Sequence, residues 1–148
     1  MPNRAILLVL SALLFSSWSC SSGPAPNQTV IDFLEKDLPD SDTLAILSKL
    51  DKEAIVQERK ADLLLAGDTA RANSYNSDSL VRDLCAGGEL NQRWLAHQII
   101  VSRVTQKKDS AQVEVSFIDA VRDVQYYNRM GLYKSKGAWK IYSFKTLK

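Results

Sequence analysis

The sequence predicts an α+β fold in which three N-terminal helices pack on a curved four-stranded antiparallel meander. Three observations carry this. Between Thr29 and Gly88 apolar residues recur at the three- and four-residue spacing of a helix face. From Ile99 to Phe144 they alternate with polar residues, the period of a strand. The last four runs are joined by short turns, so neighbours in sequence pair antiparallel and no crossover helix is needed. Helices first and strands after them give helices against one side of a sheet.

Thr29 and Asp32 form a capping-box pattern, and Val30, Ile31, Phe33, Leu34 and Leu38 supply an apolar side until Pro39 ends the first helix. Asp40 or Ser41 caps a second, with Leu44, Leu47, Leu50, Ala54, Ala61, Leu64 and Leu65 as its stripe and Gly67 as its stop. At 1.5 Å per residue it would reach about 35 Å, so a break near Ile55 and Val56 is expected. Residues 67–77 read as a polar loop. Ser77 or Asp78 caps the third helix, where Leu80, Val81, Leu84 and Cys85 share a side and Gly87-Gly88 terminates; in that company Cys85 reads as a small core residue.

Strand rhythm begins beyond Glu89. Ile99, Val101 and Arg103 alternate with Ile100, Ser102 and Val104, and a turn at 107–110 leads to Val113, Val115 and Phe117. A connection over Asp119 to Asp123 precedes the strand Val124 to Tyr133, and Ser135-Lys136-Gly137 turns the chain into Trp139 to Phe144. The last strand is apolar on both faces, Trp139 and Ile141 on one, Tyr142 and Phe144 on the other. Either something covers the second face or the sheet curls into a pocket; Gly131 in mid-strand suits such a bend.

This order of elements resembles small exported proteins of the nuclear transport factor 2-like or cystatin-like group, over roughly residues 28–146. The motif that carries the likeness is the closing hairpin: Tyr126, Tyr127, Leu132 and Tyr133, then Lys136 and Gly137, then Trp139, Lys140 and Ile141. The resemblance implies a curved sheet and little chemistry, because fold does not fix function.

The start of the chain says where the protein works. Arg4, the apolar run Ala5 to Phe15 and the small residues before Cys20 read as an export signal over residues 1–19, too short to span a bilayer. Ser19-Cys20 resembles the lipobox of bacterial lipoproteins, in which the cysteine thiol is diacylated; Ser17 and Trp18 depart from its commonest form, and an ordinary secretory cleavage would also accept Ser17 and Ser19. Residues 20–28 look like a flexible tether, and residues 29–148 are one domain. A disulfide between Cys20 and Cys85 is the rival use of that thiol. Two acyl chains would hold the protein on a membrane without crossing it, and Ser21 matches an outer-membrane sorting default; a soluble periplasmic or secreted protein is the alternative.

Residues 20–88 carry 7 basic and 12 acidic side chains, residues 89–148 carry 11 and 5. The two halves compensate each other when packed, and with export and no basic run beyond Lys107-Lys108 no nucleic-acid partner is expected. Lysines 134 to 148 keep strand edges soluble or face anionic headgroups.

His97 is the sole histidine and reads as a strand-edge or surface residue. No HExxH, CxxC, GxSxG or phosphate-cradling loop is present, so neither a metal nor a cofactor is expected. Candidates for a pocket base and its partners are Asp119, Asp123 and Tyr126, and candidates for ligand contact are Trp94, Tyr127 and Trp139. Three functions follow in order: a lipid-anchored, non-enzymatic binding or accessory domain of the bacterial envelope, taking a small ligand or an envelope protein; a small isomerase- or cyclase-like enzyme; and a structural or assembly component.

Overall fold

The computed structural model describes residues 23–147; the expected export signal over residues 1–19 and Cys20, the expected lipid attachment point, lie outside the described residues. Helix α1 (Pro26–Asp32) continues through a π-helical segment (Phe33–Asp37) into α2 (Leu38–Asp40). Thr29 is therefore inside the helix and not its cap; its hydroxyl donates to the Ala25 carbonyl at 3.3 Å. Pro26 starts the helix where a missing N–H costs nothing. Residues 26–28, expected to belong to a tether, are instead the start of α1, and Pro26 is buried. Pro39 does not end the helix either. Its ring would press on the carbonyl four residues back, and the wider π turn just before it, where the Leu38 N–H reaches the Phe33 carbonyl, is a distortion that accommodates it. The helix stops at Ser41 in the left-handed region (φ 52°), with the Asp42 N–H on the Asp37 carbonyl and the Ser41 N–H on that of Leu38.

The predicted second helix is two, α3 (Thr43–Ser48) and α4 (Lys52–Leu65), each started by an aspartate side chain that accepts a backbone N–H. The break falls before Lys52 and not near Ile55, because there the backbone pairs with the sheet. The Asp51 N–H donates to the Ile141 carbonyl and the Ile141 N–H to that of Lys49, both at 2.8 Å, which satisfies an otherwise open strand edge. The buried face of α4 is Ile55, Val56, Arg59 and Leu63, so the expected stripe holds at Leu50, which is buried, but fails at Leu44, Leu64 and Leu65, which stand 82%, 52% and 88% exposed. Helix α5 (Thr69–Ser74), capped by Asp68, occupies the expected loop. Helix α6 (Ser77–Leu84) is capped by Asn76 in place of Ser77 or Asp78, and α7 (Glu89–Leu95) takes a stretch expected to lead into strands. Cys85, just past α6, is half-buried against the core with its Sγ 3.4 Å from Thr43 Oγ1.

Strands β1 (Gln98–Lys107), β2 (Ser110–Asp119), β3 (Val124–Ser135) and β4 (Ala138–Ser143) form an antiparallel meander in sequence order, and β5 (Thr146–Leu147) adds to β3 beyond the end of β4. The fold is α+β, helices followed by an antiparallel sheet, as expected. Lys136 and Gly137, both at positive φ (50° and 83°), make the two-residue turn whose twist matches the strands it joins. Register shifts at Val101/Arg103 and at Gly131/Leu132 bend the sheet around a core that includes Phe33, Leu34, Leu80, Met130, Leu132 and Ile141.

Gly131 lies under the Tyr142 ring: a Cβ there would sit 2.7 Å from Tyr142 Cζ. Gly131→Ala is expected to cost about 1–2 kcal/mol in urea unfolding, most of it recovered when Tyr142 is also made alanine. Equal cost in both backgrounds would show that the ring is not what excludes the methyl.

Candidate functional site

On the inward face of the sheet, register pairs Val113/Met130, Val115/Asn128 and Phe117/Tyr126 follow one another across β2 and β3. The helices bury the first two pairs. At the third the sheet extends past them and a cavity of about 650 Å³ opens. Its depth is apolar: Leu90, Trp94, Phe117 and Phe144, all nearly inaccessible. The Trp94 indole stacks on Phe117 with centroids 5.9 Å apart and meets Phe144 edge-on at 5.1 Å.

Two polar contacts hold these rings. Asn91 on α7 donates through Nδ2 to the Leu38 and Leu84 carbonyls at 3.1 and 3.0 Å, tying α7 to the carbonyl ends of α2 and α6 and so fixing Trp94. Glu58 on α4 accepts the Phe144 N–H at 2.6 Å and the Ser143 hydroxyl. That interaction ends β4 and turns Phe144 inward, so Tyr142 and Phe144, expected on one outer face, are separated.

The mouth is polar. Asp119 Oδ1 accepts the Val121 and Arg122 N–H groups, each at 3.0 Å, which folds the β2–β3 connection into an Asx turn. Its Oδ2 lies 3.7 Å from Arg122 Nε and 4.0 Å from His97 Nε2. His97 Nδ1 is 2.5 Å from the Arg93 carbonyl, which only accepts, so Nδ1 carries a proton and Nε2 is the atom directed at Asp119. The imidazole also stands edge-on to Tyr126 at 5.6 Å.

Of the sequence candidates, Trp94, Asp119 and Tyr126 meet at this cavity and Asp123, Tyr127 and Trp139 do not. Asp123 is an exposed turn residue at φ 53°. Tyr127 faces the opposite side of the sheet from Tyr126, as alternation requires, and Trp139 is buried in the core. His97, read as a surface or strand-edge residue, instead lines the cavity with its side chain 14% exposed.

Sequence reasoning missed the arginines. Arg59 occupies the buried stripe of α4, and a charged residue at an apolar position was the available signal. Its Nη2 lies 3.5 Å from Glu89 and 3.9 Å from Asp83, its Nη1 3.7 Å from Asp62, and its Nε is buried without a hydrogen-bond partner. Arg71 binds Glu89 at 2.6 Å and Asp83 at 3.4 Å, and the Tyr75 hydroxyl donates to Asp83 at 2.7 Å. Burial, then the Asp83 hydrogen bond and charge, push the Tyr75 phenol well above its usual range. Burial alone would raise the Glu89 carboxyl, but the Arg71 hydrogen bond and the charges of Arg71, Arg59 and Arg93 together hold it below the ordinary value. Among the described residues no group of three or more His, Cys, Asp or Glu side chains converges as a metal-ligand set.

No protein-family model matches the chain, and no curated protein matches it. Among solved structures, that of a candidate NTF2-like transpeptidase from Campylobacter jejuni aligns with 79% of this chain and 97% of its own, at 18% identity and a TM-score of 0.40. No family assignment follows. The α+β description rests on the chain's own topology, and the name of that protein transfers no activity.

Proposed function

We propose that the chain is a non-enzymatic binding or accessory domain of the bacterial cell envelope that takes a small ligand in the cavity beside Trp94 and is held to a membrane by lipid on Cys20. The observation that carries the binding reading is the cavity itself. Its volume of about 650 Å³ falls within the range of small-molecule sites, and it combines an aromatic interior with a few polar groups at the mouth. Support for the anchor is the Ser19-Cys20 pattern after an apolar run. No described helix is long and apolar enough to cross a membrane.

Ala96, exposed at the mouth just after α7, tests the cavity without disturbing the core. Protein purified from envelope fractions is expected to release a small molecule on denaturation, detected by mass spectrometry, and Ala96→Trp is expected to empty the site while leaving urea unfolding within about 0.5 kcal/mol. An identical small-molecule profile from both proteins would sink the reading. For the anchor, mass spectrometry of the mature N-terminal peptide is expected to show acyl chains on Cys20, with Cys20→Ser moving the protein to the soluble fraction. A bare thiol, or a Cys20–Cys85 bridge, would refute it.

One observation favours an enzyme as the second reading: Asp119 Oδ2 and His97 Nε2 face each other at the mouth with Tyr126 alongside. A carboxylate and an imidazole so placed can relay a proton to a bound substrate. Turnover of the recovered ligand that is lost in Asp119→Asn would favour that reading; release of the ligand unchanged favours the binding domain.

A further inference from the structure

We infer that the ligand is an amphiphilic carboxylate with a flat apolar body laid against the wall of Trp94, Phe117 and Phe144 and a carboxylate held at the mouth by the Arg122 guanidinium. This inference rests on the cavity being a binding site and adds the charge and shape of what binds. The first support is the state of the mouth's charges. Arg59 is engaged by Asp62, Asp83 and Glu89, and Arg93 binds Glu89 at 3.1 Å. Arg122 differs. Among the described residues its only charged neighbour is Asp119, 3.7 Å away through Nε, and its side chain makes no hydrogen bond and stands 76% exposed.

A guanidinium with its outer nitrogens unclaimed presents two parallel N–H groups at the spacing of carboxylate oxygens. The Asp119 carboxylate does not compete for a cationic ligand in the same way, since Oδ1 is already committed to two backbone N–H groups and Oδ2 faces both Arg122 and His97. The same two N–H bonds fix the turn that carries Arg122, so its backbone is held at the mouth and its side chain starts within reach of a ligand there.

The second support is apolar. Val121, the residue before Arg122, lines the cavity yet is 96% exposed. It sets an apolar side chain next to the cation at the rim, the pair of surfaces that a ligand with an apolar body and an anionic end would meet. The rings below favour a flat body over a chain, because stacked and edge-on aromatic surfaces gain most from another planar π-system. A phosphate-rich ligand fits less well: the interior is apolar, and Arg59 and Arg93 each already face a carboxylate through an outer nitrogen.

Isothermal titration of the whole chain with naphthalene-2-carboxylate, naphthalene-2-carboxamide and 2-naphthylmethylammonium separates the claims. The carboxylate is expected to bind about tenfold more tightly than the amide, and the ammonium least. Arg122→Gln is expected to shrink the carboxylate-to-amide ratio below about threefold, and Ala96→Trp to abolish binding of all three. Amide or ammonium binding as tight as the carboxylate, or a ratio unmoved in Arg122→Gln, overturns the assignment of a carboxylate while leaving the cavity a binding site. Failure of all three probes to bind overturns the flat apolar body and this inference with it, while the binding reading stands or falls on the release experiment with Ala96→Trp.

Discussion

Gly88→Ala is expected to destabilise the protein by about 3 kcal/mol or more and to remove ligand binding. The reason is space and not backbone freedom, since Gly88 has φ −73° and ψ 157°, angles open to any residue. An added Cβ would lie 2.0 Å from the Arg82 carbonyl oxygen and 2.5 Å from the carbonyl carbon and oxygen of Asp83. These are backbone atoms in the last turn of α6, so no side chain can swing aside. Either α6 or α7 must move, and α7 is started at Gly88, whose carbonyl accepts the Gln92 N–H at 2.9 Å. A displaced α7 carries Leu90, Asn91 and Trp94 with it, which breaks both carbonyl contacts of Asn91 and opens the aromatic interior of the cavity. Gly87→Ala is the internal control. Gly87 has φ 83°, but a methyl added there would meet nothing within 4 Å, so its cost is backbone strain alone, about 1 kcal/mol. Urea unfolding of the two variants measures the contrast, and a Gly88→Ala protein no less stable than Gly87→Ala would show that the two helices are not packed through this glycine.

The sheet was legible in the sequence and the helical layer was less so, for a physical reason. Each strand has a period of two and a turn signal at each end, and alternation alone separates Tyr126 from Tyr127 and places Phe117 with Asp119. The helices are short. In α5 only Ala72 is buried, and its cap Asp68 was the one signal. Helix α7 offers Leu90 and Trp94 at four-residue spacing, but seven residues between a glycine pair and a strand give periodicity little room. The break between α3 and α4 could not be read locally, because it is made by Ile141, far along the chain on β4. Among the site residues, those on strand faces or in the connection between strands were within reach. Arg59 was hidden because the stripe chosen for α4 ran through Leu64 and Leu65; shifting it to Ile55, Val56 and Leu63 puts an arginine in the core and demands the acids that surround it. Phe144 broke alternation for want of any sequence sign that Glu58 would end the strand before it.

Those acids yield the other large expected effect. Asp83→Ala is expected to cost about 3 kcal/mol, because removing one member of a buried charge cluster leaves its partners without compensation. Asp83 is the shared acceptor: it takes the Tyr75 hydroxyl and faces both Arg71 and Arg59. Glu89 and Asp62 still oppose Arg59 after its loss, which holds the effect near the lower end for such pairs. Asp83→Asn separates charge from hydrogen bonding, since the amide oxygen can keep the tyrosine bond, and Tyr75→Phe removes that bond alone at about 1 kcal/mol. The cluster also sets a pH window. The Glu89 carboxyl is lowered in the folded state, so its contribution is complete above the ordinary carboxylate range and is lost as the pH falls through the folded value. The Tyr75 phenol is raised, so its contribution is complete below about pH 10 and is lost as the pH climbs above that. Stability measured across pH is therefore expected to fall at both ends, with the alkaline fall reduced in Tyr75→Phe and the acid fall reduced in Glu89→Gln. An alkaline limb unchanged by Tyr75→Phe would mean that the phenol is not titrating against Asp83, and the cluster would then owe its cohesion to the arginines alone.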